Sequence, residues 1–193
     1  MFDLLLPPRC ALCRRPGAGL CRDCAATLPP APDLGAPPGL VACDSLLRYE
    51  GPTRELVAAV KFHGHRDAVP LLGATMARLV QHPVDVVTWA PTSAARRRDR
   101  GYDQAELLAR AAAGALGRRT RGLLRRVSTG TQTGHDRAQR LTGPEFRARR
   151  ACHGTVLLVD DVRTTGATLC AAADALTEAG ATAVVGLTLA VTL

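Results

Sequence analysis

Aromatic side chains are nearly missing from this chain of 193 residues, where Phe, Tyr and Trp together make up 3%. A platform of several stacked rings, on which many single-strand binders hold bases, is therefore hard to build. Lysine is also scarce, since 24 of the 25 basic residues are arginine, a bias that genomic base composition can impose. No apolar run approaches the ~20 residues that a membrane-spanning helix needs. The opening stretch Met1-Phe2-Asp3-Leu4-Leu5-Leu6-Pro7-Pro8 lacks a basic n-region and an adequate apolar h-region, so no secretion signal is read there and a soluble, cytoplasmic protein without membrane insertion is expected. What is present, 47% hydrophobic residues, suits one ordinary globular domain or one domain with a small appendage. A body of about 150 residues buries roughly 70% of its unfolded surface and needs no disulfide staples.

The net charge of +8 is unevenly placed. Between Arg96 and Arg150 there are 15 arginines against five acids, while the rest of the chain is slightly acidic. The whole positive balance thus sits in one segment, as expected of a surface that meets phosphates or nucleic acid. A solvated arginine face accounts for the charge alone equally well.

Four of the seven cysteines read Cys10-x-x-Cys13 and Cys21-x-x-Cys24. Two thiolate pairs brought together supply a tetrahedral S₄ set. Four sulfurs favour zinc or an iron–sulfur cluster over harder metals. A pair of disulfides is disfavoured without a secretion signal. No general base stands nearby, so the site reads as structural, with zinc expected. Cys43, Cys152 and Cys170 lie inside apolar patterns and read as small buried hydrophobes. From Pro29 to Pro38 half the residues are proline, which keeps the chain extended and semi-rigid. The expected organisation is a knuckle over 1–28, a linker over 29–40 and a main domain over 41–193.

In that main domain, strands are expected at Val41–Tyr49, Val84–Ala90, Thr155–Val159 and Ala183–Val191. Helices are expected from Gly51 to about Phe62, from about Asp67 to Val80, over 103–116 and from Thr168 to Ala179. The alternation points to an α/β sheet with right-handed crossovers.

The most informative stretch is VLLVDDVRTTGAT, residues 156–168. Four aliphatics form a buried strand that ends in Asp160 and Asp161. A small hydroxyl-rich turn follows, and then a helix begins. In open α/β sheets ligands bind at the carboxyl ends of strands. Backbone N–H groups of a tight turn entering a helix cradle a phosphate, and threonine hydroxyls add donors. Gly166 permits close approach or a positive φ. Two carboxylates beside a phosphate make sense as acceptors for sugar hydroxyls or a metal-bound sugar. No G-x-G-x-x-G and no Walker loop is present. The turn therefore reads as a sugar-phosphate site, with phosphate on Thr164, Thr165, Gly166, Ala167 and Thr168 and ribose on the two aspartates.

This stretch resembles the signature of type I phosphoribosyltransferases, which bind 5-phosphoribosyl 1-pyrophosphate (PRPP). The knuckle LLLPPRCALC…LCRDC, the segment RYEGPTRELVAAVKFHG and the segment APTSAARRRDRGYDQAELLAR resemble one branch, the ComF family of competence proteins. The resemblance covers nearly the whole chain. It implies a phosphoribosyltransferase-like parallel sheet flanked by helices, with a flexible hood and an N-terminal zinc ribbon. It also implies PRPP with Mg²⁺ as ligand, a catalytic role for Asp160, Asp161 and Arg100, and a pyrophosphate loop containing Thr92, Ser93 and Arg96. The hood matches about 125–150, with Gln132, Arg137 and Arg140 at motif positions. Departures are Tyr102-Asp103 where the family has Phe-Asn, His135 in place of Leu, and Gly143-Pro144 where Asn is expected. The function implied is phosphoribosyl transfer to an unidentified nitrogen acceptor, associated with DNA uptake. A non-catalytic protein that binds PRPP or single-stranded DNA among uptake partners, and a nucleobase salvage enzyme, are the rival readings.

Overall fold

The computed structural model describes residues 7–62, 65–127 and 144–193. Its centre is a parallel sheet in the order β1-β7-β6-β2-β3, built from Ala42–Arg48 (β1), Ala183–Val191 (β7), Thr155–Arg163 (β6), Val86–Trp89 (β2) and Arg119–Thr120 (β3). Parallel strands buried on both faces read as continuous apolar runs, and VLLV and AVVGLTLAV do so. Alternate residues point to opposite faces. Leu157, Val159, Val185 and Leu187 enter one apolar cluster, while Val156, Leu158 and Val184 enter the other.

The first face is covered by α2 (Pro52–Phe62), α3 (Val69–Ala77) and α5 (Gln104–Leu116), through Leu56, Val60, Leu72, Met76 and Leu108. Gly73 lets α3 and α5 close up, since a Cβ there would lie 2.3 Å from that of Ala111. The second face is covered by α6 (Ala167–Glu178) and a small antiparallel pair, β4 (Leu124–Arg126) with β5 (Phe146–Ala148). The helix expected from Asp67 to Val80 begins with a 3₁₀ turn at Arg66–Ala68 and ends at Ala77.

β6 runs further than its apolar residues suggest. It carries Asp160 and Asp161 within the strand and stays paired to β7 as far as Arg163↔Val191. On its other side pairing to β2 stops at Trp89↔Val159. The last four residues of β6 therefore have an unpaired edge on the β2 side, and the chain order also changes direction between these two strands. Such switch points at strand carboxyl ends are where open sheets hold ligands.

The knuckle and the proline segment both lie on this body. Cys10, Ala11 and Leu20 are buried in the same cluster as Leu56 and Val69. Gly19 is required for that contact, because a Cβ there would fall 2.1 Å from the carbonyl carbon of Asp67. Residues 29–31 add to the outer edge of β1, where Arg48 N–H donates to Pro29 O and Ala31 N–H to Leu46 O. Arg163 holds Gly35 O at 2.7 Å, and Pro37 closes over Gly166. The segment is extended, as its prolines dictate, but it is strapped to the sheet rather than spanning free solvent.

Candidate functional site

Two sites take shape from different kinds of residue. In the knuckle, Cys10, Cys13, Cys21 and Cys24 bring their sulfurs within 4.8 Å of one another. A bridge between Arg9 and Pro16 and the bond from Ala11 N–H to Gly19 O fold the first loop back, and Cys21 precedes the short helix α1 (Arg22–Ala26). Burial works against the Cys10 thiolate, but N–H donors from Cys21, Cys13 and Leu12 outweigh it and bring the thiol down to about 6. At Cys24 the Cys21 sulfur, then loss of solvation, push the thiol up to about 12. A divalent metal removes that conflict by stabilising all four thiolates together. Four converging sulfurs without a carboxylate among them fit a closed structural zinc site.

The second site is a cavity of about 290 Å³ in the gap between β2 and β6. Asp160, Asp161, Thr164 and Thr168 form one wall; Thr92, Arg96 and Arg100 face them, and Lys61, Gln104 and Arg126 complete the ring. Lys61 Nζ lies 2.7 Å from Asp161. Asp161 N–H donates to Asp160 Oδ1 at 2.8 Å. Burial, then the adjacent Asp161, hold the Asp160 carboxyl well above the ordinary carboxylate range. Across the cavity Arg126 has no carboxylate within ion-pair distance among the described residues, and burial followed by nearby Arg96 lowers its pKa. The site thus places crowded carboxylates and poorly compensated cations in one small volume.

Gly166 has φ 82° and caps α6, and Thr165 Oγ1 accepts from Ala167 N–H. A narrow cleft among Asp160, Thr164, Gly166 and Thr168 adjoins the main cavity.

The loop after β2 is more occupied than expected. Thr92 N–H donates to Asp103 Oδ2 at 2.8 Å, and Ser93 Oγ caps α4 (Ala94–Arg100) by accepting from Arg96 N–H. Thr92 lines the cavity, whereas Ser93 does not. Asp103 explains one departure from the family pattern. Its second oxygen accepts from Ala105 N–H and caps α5, so both carboxylate oxygens serve backbone donors. Tyr102 donates its hydroxyl to Val60 O, tying the same turn to α2. Gln132, His135, Arg137, Arg140 and Gly143 lie outside the described residues; β4 and β5 border that stretch.

Lys61 and Gln104 lie in the segments RYEGPTRELVAAVKFHG and APTSAARRRDRGYDQAELLAR, and Arg126 at the start of the hood range, but none of these stretches assigns them a role; Lys61 is also the single lysine in a chain that otherwise uses arginine.

Among known proteins, residues 1–36 match the family described as a double zinc ribbon domain. The competence protein ComFC of Bacillus subtilis (strain 168) is 29% identical over 180 residues, covering 89% of this chain and 72% of that protein. The chain is thus similar to a ComF competence protein over most of its length. Its fold class is the expected one, a helix-flanked parallel sheet with an N-terminal four-cysteine ribbon. Two solved structures are similar at a TM-score of 0.45. One is an allosteric regulatory enzyme of purine biosynthesis, 21% identical over 64% of this chain. The other is a glutamine PRPP amidotransferase from B. subtilis complexed with ADP and GMP, 27% identical over 63%. The chain spans about a quarter of each (26%). No helix among its described residues is long and apolar enough to cross a membrane.

Proposed function

We propose that the cavity binds PRPP with Mg²⁺ and that this ComF-like protein transfers the phosphoribosyl group to a nitrogen acceptor in support of DNA uptake. The observation that carries the reading is the pairing of opposite charge environments in one cavity of about 290 Å³. A sugar with phosphate groups at both ends needs hydroxyl acceptors in the middle and cations or N–H groups at either end.

Thr164, Thr165, Gly166, Ala167 and Thr168 receive the 5-phosphate at the N-terminus of α6. Asp160 and Asp161 accept hydrogen bonds from the ribose hydroxyls. Arg96, Arg100 and the Thr92 side chain face the pyrophosphate, and Ser93 holds the start of α4 that presents these arginines. Mg²⁺ arriving with the pyrophosphate offsets its charge near the carboxylates. In the transfer, the acceptor nitrogen's lone pair forms a bond to the anomeric carbon. The bond from that carbon to the pyrophosphate oxygen breaks, its electron pair leaves with pyrophosphate, and the nitrogen's proton passes to water. The chain's part is positioning and charge stabilisation. The same reading divides the protein into a zinc knuckle (1–28), a proline-rich strap (29–40) and a phosphoribosyltransferase-like body (41–193) with a hood over about 125–150.

Calorimetric titration with Mg²⁺ and PRPP, with ribose 5-phosphate as control, tests the reading. Wild type is expected to bind PRPP in a Mg²⁺-dependent way. The double variant Asp160→Asn with Asp161→Asn is expected to lose at least about 100-fold in affinity, since the carboxyl partners of the ribose hydroxyls disappear, while its circular dichroism is unchanged. Undiminished affinity in a folded double variant would overturn the ribose assignment. No binding in wild type, with salt-sensitive affinity for single-stranded DNA instead, would favour the nucleic-acid reading.

A further inference from the structure

A second cavity, of about 380 Å³, shares Lys61 and Arg100 with the first and is completed by Phe62, Arg66, Asp99 and Tyr102. Its make-up is unusual for this chain. Only six aromatic residues exist in the sequence, and two of them meet here. Phe62 is 59% exposed, one of five exposed large apolar side chains among the described residues. Each ring carries a guanidinium over its face: Arg100 lies 4.6 Å from the centre of Phe62, and Arg66 lies 4.4 Å from that of Tyr102. The Tyr102 hydroxyl is spent on Val60 O, so the cavity sees the ring rather than the phenol. Arg100 Nε is buried with no hydrogen-bond partner among the described residues. With Lys61 already paired to Asp161, two cations, Arg66 and Arg100, stand against one carboxylate, Asp99.

These walls define a ligand. Delocalised cations stacked on aromatic faces attract a planar ring, as guanidinium groups also stack on flat π-systems. The excess positive charge asks for an acid group on that ring. Asp99 can accept an N–H. We infer that this cavity is the acceptor subsite and that its ligand is a planar aromatic or heteroaromatic amine bearing a carboxylate. The inference rests on the PRPP reading for the reaction, because the shared Lys61 and Arg100 make the two ligands neighbours. The binding itself is independent of that reading.

The test uses the full-length zinc-bound protein and 2-aminobenzoate, whose fluorescence reports binding, against the uncharged 2-aminobenzamide. A pyridine carboxylate and its amide, followed by calorimetry, form a second pair. Each is titrated with and without Mg²⁺ and PRPP. The acids are expected to bind at least about tenfold tighter than the amides, the effect of one charge-assisted contact. Arg66→Gln should reduce that preference to about threefold or less without changing PRPP affinity. Phe62→Leu should weaken acid and amide alike, and melting curves check that both variants fold. Amides binding as well as acids, or a preference indifferent to Arg66→Gln in a folded variant, would overturn the assignment. So would the absence of acid binding while PRPP still binds. Acid binding without any PRPP binding would keep the subsite and reject the PRPP reading instead.

Discussion

The knuckle and the cavity are two ways of assembling chemistry from a chain. The knuckle draws all four ligands from residues 10–24 and uses one kind of atom. The cavity draws Lys61 from α2, Thr92 from a loop, Arg96 and Arg100 from α4, Arg126 from β4 and Asp160 from β6. Both contain a group that crowding keeps from its charged form, Cys24 in one and Asp160 in the other. In the knuckle a metal resolves the conflict and the site is then closed. In the cavity the conflict is held by the fold, which suits a site that must accept and release a ligand.

Metal removal should separate the two regions most sharply. A structural zinc contributes on the order of 10 kcal/mol to the fold that holds it. Chelation, or Cys10→Ser, is therefore expected to abolish hydrogen-exchange protection over residues 7–28. Because Cys10, Ala11 and Leu20 share a cluster with Val69, protection should also fall across the 3₁₀ turn and α3, while β6 and β7 keep theirs. Collapse of the central sheet would show that knuckle and body fold as one. An unaltered α3 would show that the contact contributes nothing. Gly19→Ala probes the same seam with the metal in place. The added methyl collides with backbone at Asp67, and such overpacking costs about 1–3 kcal/mol. Each kcal/mol lowers Tm by about 2–4 °C at this chain length. A melting point equal to wild type, with zinc retained, would contradict the tight docking.

The difference between the regions also sets what was readable beforehand. Spacing alone identified the four cysteines, because their geometry is fixed within two short turns. The stretch 156–168 was readable for a similar reason, being a strand, a turn and a helix start in one run. Its aspartates, however, lie inside β6 rather than after it, because pairing to β7 continues where apolar character stops. The roles of Lys61 and Arg126 are not legible in the sequence: Lys61 lies in the segment RYEGPTRELVAAVKFHG, but each reaches the cavity only through sheet order and helix docking. The short helix α4 has no sign in the sequence because AARRRDR has no apolar face, its start being set by the Ser93 cap and its end by Gly101 at φ 76°. The strapping of the proline segment is equally silent, since prolines report extension and say nothing of edge pairing.

Asp103 offers a finer test of how the cavity is held. With one oxygen on Thr92 N–H and the other on Ala105 N–H, it joins the loop after β2 to the start of α5. Asp103→Asn, the residue usual in the family, retains only one acceptor and leaves a donor facing an N–H group. A loss of about 1–3 kcal/mol follows from one unsatisfied buried donor. PRPP affinity should fall in the same variant, because Thr92 is no longer fixed. Unchanged stability and affinity would show that either residue serves and that the second bond is incidental.

The smallest expected effect concerns Asp160 and has an opposite sign for stability and for function. Burial, then Asp161, raise its carboxyl well above the ordinary range, so the folded protein keeps a proton that the unfolded chain releases near pH ~4. A group raised in this way contributes stability that is fully present below the unfolded pKa and is lost as pH rises through the folded one. Wild type should therefore lose stability across that window. Asp160→Asn carries no charge at any pH and should escape this loss, so its advantage in Tm grows with rising pH and then levels off. A gain of about 1 kcal/mol would read as about 2–4 °C. Parallel Tm profiles for the two proteins would show that the carboxylate is tolerated without strain. With Mg²⁺ and PRPP present the ranking should reverse, since wild type, the tighter binder, gains more stability from ligand by mass action. A site that costs the empty protein stability and repays it on ligand binding is one whose charge is kept for the ligand.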